Sequence, residues 1–274
     1  MAIASGKGGT GKTLVATNLA ATTGAVLVDL DVEEPNCHLF FDGAETSRTP
    51  VFRPVPKIDL DKCTRCGNCA KVCEFRAIAV LPGEVLVFKE LCHGCGACAM
   101  FCPEGAIEEI GHMVGEVICA DGGARKLLYG RLKVGEASGL PLIRRVKSDV
   151  PRDSLAVIDC PPGTACQAVE SIKGSDFCVL VTEPTPFGLH DLKLALELVS
   201  KLRVRHGVFI NKQGLKGPDV AEFCRARNVP VLGELEHSRE IAVRYSKGEL
   251  LTDEPRYREC FESLMSRVRE EASR

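Results

Sequence analysis

Eight residues close to the start of the chain, Gly6-Lys7-Gly8-Gly9-Thr10-Gly11-Lys12-Thr13, restrict the fold more than any other segment. Residues 1–5 in front of them form a short apolar run, and residues 13–21 behind them repeat apolar side chains at helical spacing. A glycine-rich loop between a strand and a helix gathers backbone N–H groups at the helix start, where they surround phosphate oxygens that side chains would otherwise obstruct. In that pattern Gly6, Gly8, Gly9, Thr10 and Gly11 supply the cradle, Lys12 reaches the β- and γ-phosphates of a nucleotide, and Thr13 coordinates Mg²⁺. The next apolar run, 25–29, ends in Asp29 and reads as a strand of a parallel sheet buried on both faces. The expected fold class is therefore α/β, a three-layer P-loop NTPase with a mostly parallel sheet.

Residues 155–159, 177–182, 207–211 and 229–233 read as further strands, with a helix over 189–202. That makes a sheet of six or more strands covered by helices on both faces. The pattern breaks after Phe41, where Pro50, Pro54 and Pro56 read as a linker into a cysteine-rich stretch, and resumes past residue 110. The expected organisation is a discontinuous P-loop ATPase domain over 1–55 and 109–254, a small α+β domain over 56–108 inserted at the sheet edge, and a C-terminal helix over 255–274. On that helix Tyr257, Phe261, Leu264, Met265 and Val268 share one stripe. Packing on the ATPase core is the expectation, and a membrane-surface helix is the alternative, disfavoured by a polar face that mixes both charges.

The insert repeats itself. Cys63, Cys66, Cys69, Cys73, Ala77 and Ile78 recur as Cys92, Cys95, Cys98, Cys102, Ala106 and Ile107, at a constant offset of 29. In Cys-x₂-Cys-x₂-Cys-x₃-Cys three thiolates wrap one iron–sulfur cluster and the fourth reaches the other. Cys63, Cys66, Cys69 and Cys102 are thus expected to hold one [4Fe–4S] cluster, and Cys92, Cys95, Cys98 and Cys73 a second, as in a ferredoxin-like two-cluster domain. Gly67 and Gly96 leave room beside the inorganic sulfurs, and Pro103 follows the second run where Glu74 follows the first. Residues 78–81 and 85–88 flank Pro82-Gly83 as a small hairpin, too short to supply a core without the clusters. Zinc is the competing metal for closely spaced cysteines; two repeated four-membered runs favour iron–sulfur, with His93 a loop histidine.

The chain has fifteen cysteines, and those outside the two runs are scattered singly through apolar segments, which fits a reduced cytoplasmic setting better than a disulfide scaffold. A formal net charge of -2 gives no bulk attraction to nucleic acid, so no nucleic-acid partner is expected. No run reaches the roughly 18 apolar residues of a membrane span, so no stable membrane insertion is expected either.

Two carboxylate stations accompany the loop. Asp29 and Asp31 stand at the end of the second strand, and Asp159 ends another, followed by Cys160-Pro161-Pro162-Gly163. Ligands of open α/β sheets bind at the carboxyl edge. Asp29 and Asp159 are expected in the Mg²⁺ shell, mostly through water, with Asp31 orienting the attacking water and the Gly163 amide sensing the γ-phosphate. Lys7, which cannot comfortably fold onto the phosphates that Lys12 serves, is expected to stabilise charge on phosphates held by a second subunit.

Outside the insert these residues resemble the MinD/ParA group of deviant P-loop ATPases. The likeness rests on the loop from Gly6 to Thr13, Asp29-x-Asp31 with Glu34-Pro35-Asn36, Asp159-Cys160-Pro161-Pro162-Gly163, Thr182-Glu183-Pro184 and Asn211-Lys212. With the cysteine runs added, the chain is similar to a prokaryotic subfamily of MinD-superfamily ATPases that carry an inserted ferredoxin domain. The resemblance implies an ATPase, slow and partner-stimulated, that binds ATP or ADP, dimerises with itself or with a related ATPase, and recognises adenine through Asn211. The leading expectation is a switch that gates electron transfer from the two clusters to a partner metalloprotein or to a metal cofactor under assembly. A cluster-maturation carrier or adaptor is the alternative, and a positioning ATPase a third. After Cys102 the chain lacks the Cys-x-x-Cys pair by which Mrp-type carriers hold a cluster between subunits, while Cys119, Cys160 and Cys166 leave open an intersubunit cluster like that of the nitrogenase iron protein.

Overall fold

The chain opens with strand, loop, helix and strand: β1 (Ala2–Ala4), α1 (Lys12–Thr23) and β2 (Val26–Asp29). This computed structural model describes residues 1–123 and 125–274. Next comes β3 (Ala44–Ile58), then the cysteine segment with α2 (Asn68–Val72), β4 (Ile78–Leu81), β5 (Glu84–Val87) and α3 (Ala97–Met100). The chain returns through β6 (Ile107–Asp121) and β7 (Lys126–Leu132) to α4 (Leu140–Ser148), β8 (Ala156–Asp159), α5 (Cys166–Ile172) and β9 (Phe177–Thr182). It ends with α6 (Pro186–Lys201), β10 (Arg205–Gln213), α7 (Val220–Arg225), β11 (Val231–Glu236), α8 (Arg239–Ser246) and α9 (Pro255–Ser273).

Among the described residues nine strands form one sheet in the order β11-β10-β9-β1-β8-β2-β7-β6-β3. Every neighbouring pair from β11 to β7 is parallel, and only β7 with β6 and β6 with β3 run antiparallel. Successive strand residues point to opposite faces, and both faces are buried. Along β9, Cys178 and Leu180 join the layer of Leu142, Leu192 and Val199, whereas Phe177, Val179 and Val181 join the layer of Val15, Leu19 and Phe261. Continuous apolar runs in the sequence are thus explained by helices on both sides. Tyr257, Phe261, Leu264, Met265 and Val268 of α9 are all buried in the second layer. Among the described residues no helix is long and apolar enough to cross a membrane.

The reading of Pro50, Pro54 and Pro56 as a linker needs correction, because all three lie within β3, a strand of 15 residues. β3 is the outermost strand, with β6 as its one neighbour, so a missing N–H on its free side costs no ladder bond. Val51, Arg53 and Val55 are buried while Phe52 and Pro54 are exposed, as alternation on an edge strand requires. β3 and β6 together make a ribbon about 50 Å long. The cysteine segment lies between Ile58 and Ile107 at the end of that ribbon, with β4 and β5 paired as a separate two-stranded sheet. Its buried apolar side chains are few, Ala77, Ile78, Cys92 and Ala106 among the described residues, with Ala77 and Cys92 packed against Val55 and Cys73 and Ile110 alongside.

Candidate functional site

The loop from Gly6 to Thr13 turns between the end of β1 and the start of α1. Gly11, just before α1, has φ of 94°, a left-handed conformation that favours glycine, and a β-carbon there would press on the Asn211 amide. Asn211 itself donates from Nδ2 to the carbonyl of Thr10 at 2.7 Å. It therefore braces the loop from the end of β10, in the wall of a cleft of about 230 Å³ that also takes in Gly9, Leu14, His237, Ile241 and Tyr245. Lys12 is 7% exposed at the first position of α1.

Thr13 donates its hydroxyl to Asp159 Oδ2 at 2.6 Å. Asp159 is laterally paired with Asp29 because β8 and β2 run in parallel register, so two carboxylates 130 positions apart share one buried spot. Burial, then the charge of Asp159, pushes Asp29 up to about 7, against hydrogen bonds from the amides of Cys37 and Asp31. Burial pushes Asp159 up to about 6, against the Thr13 hydroxyl and the Lys12 charge. Asp31 is also raised by burial, with Lys12 opposing.

Asp159 Oδ1 and Thr10 Oγ1 are buried without a hydrogen-bond partner among the described residues. Buried polar atoms seldom stay unsatisfied. A hydroxyl and two carboxylates beside an unpartnered oxygen suit a hard divalent cation such as Mg²⁺, and the Thr10 hydroxyl suits a phosphate.

Lys7 is engaged within its own chain. Its Nζ donates to Glu183 Oε1 at 2.6 Å, while Glu183 Oε2 accepts from Lys212 Nζ at 2.8 Å. Burial alone would raise the Glu183 carboxyl, but hydrogen bonds from Lys212 and Lys7 outweigh it and hold the group below the usual carboxylate range. Gly163, at φ of 89°, donates its amide to the carbonyl of Ser5 at 3.0 Å, so the Pro161-Pro162-Gly163 turn is tied to the end of β1.

The eight cysteines divide into two cradles. Cys63, Cys66, Cys69 and Cys102 line one cavity, and Cys73, Cys92, Cys95 and Cys98 line another, so the last cysteine of each run joins the first three of the other. The sequence repeat persists in local geometry. α2 and α3 each follow a glycine with positive φ, Gly67 at 80° and Gly96 at 73°. Cys73 Sγ accepts from the Ala77 amide and Cys102 Sγ from the Ala106 amide, each at 3.3 Å. Cys66 and Cys95 are exposed. His93 stacks on Phe75, with ring centroids 3.6 Å apart.

Three residues carry weight that the sequence reading did not assign. Cys37, fully buried, donates its amide to Asp29 and its thiol to Asp159 Oδ2 at 3.6 Å. Burial, with both carboxylates adding, keeps that thiol well above its ordinary value. Its place just past Asn36 was the available signal. Glu183 sat in a quoted motif without a role, and Tyr245 had no local signal at all.

The sequence profile of the CobQ/CobB/MinD/ParA nucleotide binding domain matches residues 1–251. An uncharacterized protein of Methanocaldococcus jannaschii is 34% identical over 222 residues, spanning 78% of this chain and 78% of its own length. The polyferredoxin-like subunit of an aliphatic sulfonate oxidoreductase from Pyrococcus furiosus is 30% identical over 141 residues, 45% of this chain and 81% of that subunit. Among solved structures, the septum site-determining protein MinD of Pyrococcus horikoshii, complexed with Mg-ADP, has a TM-score of 0.59 at 20% identity, covering 97% of this chain and 94% of that one, which shows a shared fold.

Proposed function

The chain belongs to the CobQ/CobB/MinD/ParA nucleotide-binding family, and from that premise we propose an ATP-hydrolysing dimeric switch whose cysteine segment is a two-cluster ferredoxin gating electron transfer to a partner metalloprotein or metal cofactor. The observation that carries the redox half is the crossed lining of the two cavities, which matches the ligand exchange of two-cluster ferredoxins. The two repeated four-membered runs, sharing their last cysteines between cavities, favour iron–sulfur over a zinc site. Similarity to a polyferredoxin-like subunit points the same way.

In this reading the loop amides and Lys12 bind the triphosphate, and Thr13 with Asp29 and Asp159 would hold Mg²⁺, whose charge would offset that of the phosphates. Asp31 orients the attacking water, Asn211 stands at the adenine end, and Gly163 leaves Ser5 for the γ-phosphate. Lys7 exchanges Glu183 for the phosphates of a partner subunit. Closure thereby moves the turn after Asp159 and the segment after Asp31, the latter tied through the Val32 carbonyl to the Leu132 amide of β7, the strand beside the ribbon. Cys66 and Cys95, exposed residues, leave each cradle within reach of an electron-exchanging partner.

The test is anaerobic purification with metal and sulfide analysis, followed by hydrolysis and dimerisation assays on oxidised and reduced protein. Eight irons per chain and a hydrolysis rate or dimer lifetime that changes with cluster oxidation state are expected. Zinc in place of iron ends the redox half, and loss of iron to an acceptor protein on ATP turnover replaces it with a maturation carrier.

A further inference from the structure

Arg53 is a guanidinium buried to 2% exposure in the edge strand, and the cysteine repeat has a defect where it lies. At the offset of 29, Gly94 in the second run corresponds to Arg65 in the first. Arg65 is exposed beside the first cavity. Gly94 instead has its open side filled by Arg53, since a β-carbon on Gly94 would meet Arg53 Cγ at 2.8 Å and the Pro54 carbonyl at 3.0 Å. Gly94 is also the residue whose amide donates to Cys92 Sγ at 3.4 Å. The Arg53 side chain from the ribbon therefore packs against the middle of the second cysteine loop, whereas the matching position of the first is occupied by the exposed Arg65.

The charge is only partly compensated by the protein. Arg53 Nη2 donates to the Lys89 carbonyl and to Glu136 Oε2, both at 2.9 Å. Glu136 is 1% exposed at its side chain, and its other oxygen is 2.6 Å from His112 Nε2, which belongs to the residue opposite Arg53 across the strand pair. Arg53 Nε and Nη1 remain buried with no acceptor among the described residues. Leaving guanidinium N–H groups unpaired in the interior is costly. A thiolate-held cluster in the loop that Arg53 touches would set further negative charge beside these unpaired N–H groups.

Resting on the two-cluster reading above, we propose that Arg53 is a positioning residue that poises the cluster held by Cys73, Cys92, Cys95 and Cys98 at a higher reduction potential than the other. Net charge and hydrogen bonds around the sulfurs set such potentials. One-electron reduction adds a negative charge, which a fixed buried cation favours and which the exposed Arg65 favours far less through water. Electrons entering at the first cluster then rest on the second. The anchor is not local to the insert. Glu136 follows β7, whose Leu132 amide donates to the carbonyl of Val32, the neighbour of Asp31, and the Ala137 amide donates to Glu90 just ahead of Cys92.

The experiment is an anaerobic redox titration of the full-length holoprotein in ADP, followed by electron paramagnetic resonance, on wild type, Arg53→Gln, Arg53→Lys and Glu136→Gln. The cluster concerned is identified by the signal that Cys95→Ser removes. Arg53→Gln should lower its potential by at least a tenfold change in the oxidised-to-reduced ratio, about 59 mV for one electron, and leave the other cluster alone. Glu136→Gln, which removes the neutralising carboxylate, should raise it, and Arg53→Lys should restore most of the wild-type value. A merely structural role would not give opposite signs, and if Arg53→Gln fails to hold the cluster, the sign of Glu136→Gln decides. Eight irons with unmoved potentials, or shifts of the same sign, overturn this inference alone. Wild-type protein without iron overturns it together with the reading on which it rests.

Discussion

Replacing Glu183 by Gln should strengthen ATP-dependent dimerisation, although Glu183 is proposed to touch neither nucleotide nor partner. In the single chain Lys7 is held on Glu183 at 2.6 Å, with side-chain exposures of 29% and 10%. A pair so placed is screened on one side and buried on the other, which sets its worth at about 1 kcal/mol, at the top of the range for exposed pairs. If Lys7 must leave Glu183 to reach a second subunit, each protomer loses that amount on closing, about 2 kcal/mol per dimer. Removing the tether should therefore lower the dimer dissociation constant roughly thirtyfold. Glutamine keeps the shape of the site, and Lys212 retains its bond to the Gly9 carbonyl at 2.8 Å. The assay is sedimentation equilibrium with ATP in an Asp31→Ala background, at fixed salt because the pair is partly screened. Adding Lys7→Ala should erase the gain, since the effect acts only through that lysine. An Asp31→Ala/Glu183→Gln protein that dimerises no better than Asp31→Ala alone, with ATP affinity unchanged, refutes the reasoning.

Gly11→Ala should cost at least about fivefold in ATP affinity while circular dichroism stays native, because strain of this kind amounts to roughly 1–3 kcal/mol and the new methyl meets Asn211; equal affinity would mean that the loop relaxes freely. Asp29 and Asp159 titrate at about 7 and about 6 in the native chain against an ordinary value of 3.8, so the native state binds more protons than the unfolded one across that window. Their contribution is complete below pH 3.8 and disappears as pH rises through 6 and 7, so nucleotide-free protein should resist urea better at pH 5 than at pH 7.5, other titrations being matched in an Asp29→Asn control. A steeper rise toward pH 7.5 in wild type than in that control contradicts the assignment. Cys102→Ser should disturb the same paramagnetic signal as Cys63→Ser and spare the one that Cys95→Ser removes; the reverse pattern would mean that each run serves its own cluster.

How much could be read in advance follows from the range of each interaction. The loop from Gly6 to Thr13 is legible because phosphate binding depends on spacing within about a dozen residues, which the chain itself imposes, and the two cysteine runs are legible as a repeat while the exchange of their last cysteines between cavities is not local. The apolar runs ending in Asp29 and Asp159 also announced themselves, since a strand covered on both faces leaves little choice of side chain. β3 escaped notice for the opposite reason. Its prolines argue against a strand in any position except an outer edge, and edge status depends on where every other strand goes.

From the order of residues alone came the nucleotide-binding loop and the class of fold, because phosphate cradling and burial periodicity are short-range requirements written into consecutive positions. The pairings belong to the folded chain. Asp29 meets Asp159 because β2 lies beside β8, Lys7 is held by a carboxylate 176 positions away, and Arg53 is sealed under the second cysteine loop by Glu136, which arrives from beyond β7. A buried charge takes its energy from whatever surrounds it in space, and that company is assembled only when distant strands pack.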